Sequence, residues 1–270
     1  MRRTLGVMAV VALLGIVITG YVLFNRETES LPDAQEFPSF PTVVAVRPPT
    51  PTRPAPTESA IRHPLDAAPA TESLAELGNG DALLLEVLGH VLGQRWLTLI
   101  APDELIRHIV VTVDQLPRQS LSASIVPLKR VQGGFKTAWN GEALSIDPNN
   151  AVRYASYVRL IKSVDTAKLV SAYRKFYPWF QHAYEELGYP KAYFNDRLVE
   201  TIDDLLATPE LEESPKLIQP KVLYEFADPE FQARSSGQKI MIRMGQENAD
   251  QIKAKLREIR RQVTLTPGSS

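Results

Sequence analysis

Cysteine is absent from all 270 residues, which excludes a disulfide framework, a thiolate zinc site, a cysteine nucleophile and a lipid anchor on an N-terminal Cys. A chain without thiols also avoids mispairing in an oxidising compartment, although that alone assigns no compartment. An excess of either charge is lacking too. The 30 Lys and Arg meet 31 Asp and Glu, so no net field draws the chain to nucleic acid. Histidine is scarce: His63, His90, His108 and His182 are far apart, and no pair has metal-ligand spacing. His90, in an almost wholly apolar run, reads as a satisfied core residue. No nucleotide, EF-hand or catalytic motif is present, so no cofactor, metal or catalytic residue is assigned.

What the chain does have is one long hydrophobic run. Leu5–Phe24 contains no charged residue. Twenty helical residues span roughly 30 Å, the thickness of a bilayer's hydrocarbon core. Arg2 and Arg3 precede the run, and Glu27 and Glu29 follow Arg26. The positive-inside bias therefore predicts residues 1–4 in the cytoplasm, a single-pass transmembrane helix over 5–24, and the rest of the chain outside. A cleaved signal would have a shorter apolar region ending in a small-x-small site, and Ile18-Thr19-Gly20 fits that poorly. The implied location is a bacterial inner membrane with a periplasmic C-terminal part. Gly15 and Thr19 form a small-xxx-small pair, a weak sign of helix dimerisation.

Residues 25–70 read as a disordered, proline-rich linker. Ten of the chain's 21 prolines lie between Pro32 and Pro69. Proline removes a backbone donor and biases its predecessor to extended conformations, which disfavours both helix and sheet. Few large apolar side chains offset the ordering entropy. A stalk from Leu31 to Pro69 reaches at most ~120 Å at about 3.1 Å per residue. It serves as a tether, or as a spacer through peptidoglycan.

A mainly helical domain is expected over 71–263, with a flexible tail at 264–270. Asp81 reads as the cap of a buried helix through Ala82–Leu92. Pro102, Asp103 and Glu104 read as the start of a second helix, with Leu105, Ile109, Thr112 and Leu116 on one face, although the β-branched run 109–113 also suits a strand. Asn140-Gly141 between short alternating runs signals a β-hairpin. Helices are then expected at 149–163, 166–187, 191–207, 235–244 and 246–262. Pro178 should kink the second of these and Gly188 should end it. Between them, 216–226 reads as one short strand or an extended strap. The last helix carries a stripe of Ile252, Leu256, Ile259 and Val263.

Several separated segments resemble a known family. They are Thr112–Arg118, Tyr193–Glu200, Leu223–Pro229, Gly237-Gln238-Lys239 and Arg243–Asn248. In this order they are similar to the bacterial family catalogued as domain of unknown function 3014. The resemblance implies a membrane-anchored envelope protein, and it brings no activity and no catalytic residues.

Four groups of residues invite a chemical reading. Ser236-Gly237-Gln238-Lys239 has the Ser-x-x-Lys spacing of serine acyltransferases but lacks their companion elements, so Ser235 or Ser236 reads as a helix N-cap. Asp196, Glu200 and Asp203 share a helix face opposite Phe194, Leu198, Ile202 and Leu205, and read as a solvated acidic face with Arg197 beside Glu200. Nine of the 21 aromatics fall between Tyr173 and Phe194. Tyr173, Phe176, Phe180 and Tyr184 follow the helical repeat and read as core. Tyr177 and Trp179 lie off that line; packing against the core or a second helix is the first reading for them, and an interaction surface is the alternative. The basic face of the last helix, Lys253, Arg257 and Arg260, is a second candidate surface, for anionic lipid or an acidic partner. The plainer reading is that this face is solvated or meets the acidic 196–213 segment within the domain. The expected function is a membrane-anchored scaffold or interaction module with an envelope protein or peptidoglycan as partner. The alternative is an enzyme acting on envelope glycans or peptides.

Overall fold

The computed structural model describes residues 60–65, 77–93, 97, 99–122, 125–128, 134–139, 141–220 and 223–265. The expected anchor at 5–24 and most of the stalk lie outside these residues. Among the described residues, no helix is long and apolar enough to cross a membrane.

The domain is mainly helical with one small antiparallel sheet. The elements, in chain order, are α1 (Leu77–Leu92), α2 (Leu105–Gln115), β1 (Thr137–Trp139), β2 (Leu144–Ile146), α3 (Asn149–Lys162), α4 (Thr166–Glu186), α5 (Phe194–Leu206), β3 (Lys216–Ile218), β4 (Glu225–Phe226), α6 (Pro229–Ala233), α7 (Ser236–Arg243) and α8 (Gln246–Val263). Helix α8 buries Ile252, Leu256, Ile259 and Val263 against α3, α4 and α5, so the expected stripe is its core face. Helix α4 runs unbroken through Pro178 from its N-cap Asp165, whose carboxylate accepts from the Ala167 and Lys168 amides. Gly188 follows at φ 96, a left-handed stop that a side chain would strain.

The hairpin forms where Asn140-Gly141 placed it, with Thr137 opposite Ile146 and Trp139 opposite Leu144. Its connection is four residues long rather than two. The segment at 216–226 supplies two strands, and the sheet order is β1-β2-β3-β4. Ile146, Leu217 and Phe226 share one face and pack with Phe135 and Ile242 in a second, smaller core. Helix α6 was not expected, although Asp228-Pro229 is its start signal: the Asp228 carboxylate caps the Glu230 amide at 2.7 Å.

Two readings near the start of the domain are corrected. Asp81 lies inside α1, which begins at Leu77, and its Oδ1 accepts from the Ile106 amide at 2.9 Å. It therefore caps α2 from a neighbouring helix. Helix α2 begins at Leu105 rather than at Pro102, because Ile100 pairs with Leu128, the Ala101 amide donates to Pro127 O, and the chain then turns through a left-handed Glu104 at φ 47 before the helix starts. Residues 109–113 are helical, and Leu105, Ile109, Thr112 and Leu116 are buried. Helix α1 packs mainly on α2 and α4. Leu84 and Leu88 are buried, while Leu83 and His90 face out, so His90 is a surface residue.

A cradle at the start of helix α5 holds residues 60–65

The start of α5 is fixed from α4. Gln181 Oε1 accepts from the Phe194 amide at 2.8 Å, and Gln181 Nε2 donates to Ala192 O at 2.8 Å. The Tyr177 hydroxyl donates to Gln181 Oε1 and receives the Asn195 amide. Tyr173 donates to Asn195 Oδ1 at 3.2 Å. Burial pushes the Tyr173 and Tyr177 phenols well above their usual range, so both remain neutral hydroxyls. This explains why Tyr177 lies off the apolar line yet is 4% exposed. Its ring is core and its hydroxyl caps a helix.

Against this frame lies a strap from the expected stalk. Asp196 takes two consecutive strap amides, Arg62 N on Oδ2 at 3.0 Å and His63 N on Oδ1 at 2.8 Å. The Leu65 amide donates to Tyr193 Oη at 2.9 Å. Asn195, fully buried, donates through Nδ2 to His63 O at 2.8 Å and to Val263 O at 3.0 Å. The strap's fifth polar contact is Arg62 Nη2 to Glu200 Oε1 at 2.6 Å. Both partners of that pair are about half exposed, so it contributes at most about 1 kcal/mol. The main-chain bonds matter more. Leu65 also packs on the main core.

Hydrogen bonds to a carboxylate contribute about 1.5–3 kcal/mol each and neutral ones about 0.5–1.5. Ordering six residues costs roughly 1–2 kcal/mol each. Gain and cost are both on the order of 10 kcal/mol, so the strap is held with little net free energy. Residues 62, 63 and 65, inside the expected stalk, thus contact the domain. The acidic face of α5 is only partly solvated: Asp196 and Glu200 meet the strap, and Arg197 pairs with Glu200 as expected (3.1 Å) and also with the buried Asp114 (3.2 Å).

The other candidate residues fall elsewhere. Trp179 is buried under α1, where a methyl on Gly80 would sit 3.1 Å from the indole Cδ1. Lys253 is buried and donates to Thr208 O at 2.6 Å, and Arg260 lies in a two-bond pair with Asp203. Of the expected basic face, Arg257 alone stays exposed. Ser235 is the N-cap of α7, accepting from the Gln238 amide and donating to Asp204. Lys239 donates to Gln119 O and Gln232 O rather than to Ser236, so the Ser-x-x-Lys spacing serves to dock α7. Among the described residues, no group of three His, Asp or Glu is placed to hold a metal.

One open cavity of about 410 Å³ lies between the start of α3, the 208–215 connection and the α7–α8 corner. Arg243, with its guanidinium 4.9 Å from the Phe226 ring centre, lines it together with Asp147, Glu212, Glu213 and Glu247. The hydroxyl of Ser214 on its wall donates to Ile146 O, and the Asn150 amide is bonded to Lys136 and Asp147. Ser214 and Asn150 of this wall thus serve the fold.

Sequence reasoning missed Tyr193, Asn195 and the strap. One signal was available: residues 57–63 form the longest proline-free stretch within the stalk, and Pro64 falls at the strap position whose amide is not used. Residues 105–260 match the family model described as Protein of unknown function (DUF3014). No curated protein and no solved structure matches.

Proposed function

The chain belongs to the DUF3014 family, and from that premise we propose that it is a single-pass protein of the bacterial inner membrane whose extracytoplasmic domain is an interaction module for short, bent peptide segments. The cradle is the observation that carries the reading. Asp196, Tyr193 and Asn195 engage four main-chain groups of one short segment that bends at Arg62 and His63, turning both amides to the same carboxylate, and the arginine pair adds only a peripheral contact. Main-chain engagement by fixed side chains gives affinity for a peptide backbone of that shape, with selectivity left to a few positions. Three strap amides must be free to donate, so proline is excluded at positions 62, 63 and 65 and tolerated at 64. The anchor rests on the uncharged run 5–24 and the arginines before it.

Two measurements test the proposal. A C-terminal alkaline phosphatase fusion to the full chain should be active and sediment with membranes, and an inactive or soluble fusion contradicts the topology. For recognition, His63→Pro/Leu65→Pro in the full chain removes two strap amides and frees the cradle. A fluorescent peptide of residues 57–66 should bind this variant more tightly than wild type, and adding Asp196→Ala should abolish the gain. Equal binding to all three proteins refutes peptide recognition.

A further inference from the structure

We infer that the cradle accepts residues 60–65 from a second copy of the chain, so that two copies exchange straps reciprocally. The inference rests on the cradle described above. Both halves of the contact, the strap and the Tyr193–Glu200 cradle, are encoded in one chain, so every copy carries both. An exchanged strap makes the same bonds to Asp196, Tyr193, Asn195 and Glu200 as a resident one. The number of residues in the connection lets a strap reach another copy. Residues 66–76 separate Leu65 from the start of α1, and eleven residues reach up to roughly 36–40 Å when extended. The resident strap is held with little net free energy, so leaving its cradle is not prohibitive. A reciprocal exchange is isologous and closes on two copies. Once one strap has crossed, the other crosses within the same complex, at the high effective concentration that a short tether provides.

The absence of cysteine makes a clean crosslinking experiment possible. Two full-length copies with different tags are co-expressed, one carrying Arg62→Cys and the other Glu200→Cys. The tips of these side chains meet in the cradle at 2.6 Å. Cysteines at the two positions are therefore separated by the length of the lost side chains, a gap for a bismaleimide crosslinker rather than a disulfide, and the four main-chain bonds stay in place. The crosslinker should give a mixed dimer severalfold above an Arg62→Cys copy paired with Val152→Cys, an exposed position on α3. Adding Asp196→Ala to the Glu200→Cys copy should return the dimer to that control level. A single chain carrying both Arg62→Cys and Glu200→Cys reports the cradle itself. If it links internally while mixed copies stay at the control level, exchange is refuted and the resident cradle stands. If it forms no link of either kind, the cradle and the exchange both fail.

Discussion

A carboxylate taken partly out of water stays ionised only through what bonds to it. Asp204 accepts from Ser235 Oγ at 2.6 Å and from Gln238 Nε2 at 3.1 Å, yet burial outweighs these bonds and raises its pKa above the ordinary 3.8. The folded state then binds this proton more tightly than the unfolded state. Its contribution to stability is complete below the ordinary value and is lost as pH rises through the folded one. Asp204→Asn keeps an acceptor and cannot titrate, so its urea midpoint should gain on wild type as pH rises from about 3 to 7. A constant difference across that range would show that Asp204 is not perturbed. Lys253 makes a different case. At 3% exposure, its Nζ satisfies Thr208 O. Lys253→Met should cost about 1–3 kcal/mol through the orphaned carbonyl. Arg257→Met, on the exposed side of the same helix, should stay within about 0.5 kcal/mol. Equal effects would place Lys253 on the surface, as its position among other basic residues suggested.

At the scale of elements, α7 depends on a glycine. The Gly237 amide donates to Leu116 O at 2.9 Å, and a Cβ there would lie 2.6 Å from Leu205 Cδ2 and 3.3 Å from that backbone oxygen. Gly237→Ala should therefore lower stability by about 1–3 kcal/mol in urea unfolding, as overpacking does. An unchanged midpoint would mean that α7 docks less closely. Elements whose instructions are local were legible. The α8 stripe repeats over about three turns, α4 has Asp165 before it and Gly188 after it, and Asn140-Gly141 marks the hairpin. Elements that depend on distant partners were legible only in part, as the single strand or strap expected at 216–226 shows. Strands β3 and β4 have three and two residues, too few for periodicity, and β3 exists by pairing with β2 some 70 residues earlier. The start of α2 is set by Asp81 on another helix. Tyr177 and Trp179 lie off the stripe yet are buried, as packing on a second helix requires, because α4 is covered by α1 as well as by α2, α5 and α8.

For the whole molecule, the candidate site joins parts that composition separates. A proline-rich, weakly apolar segment reads as solvated, and the acids of α5 read as a solvated face. Each is correct in isolation, and together they satisfy one another. The central claim is that the domain holds residues 62–65 by their main chain, and amide hydrogen exchange on the full chain tests it most directly. The amides of Arg62, His63 and Leu65 should exchange more slowly than expected for an open chain, and Asp196→Ala should release Arg62 and His63 while the core helices stay protected. Open-chain exchange at all three amides in the wild-type protein would contradict the account.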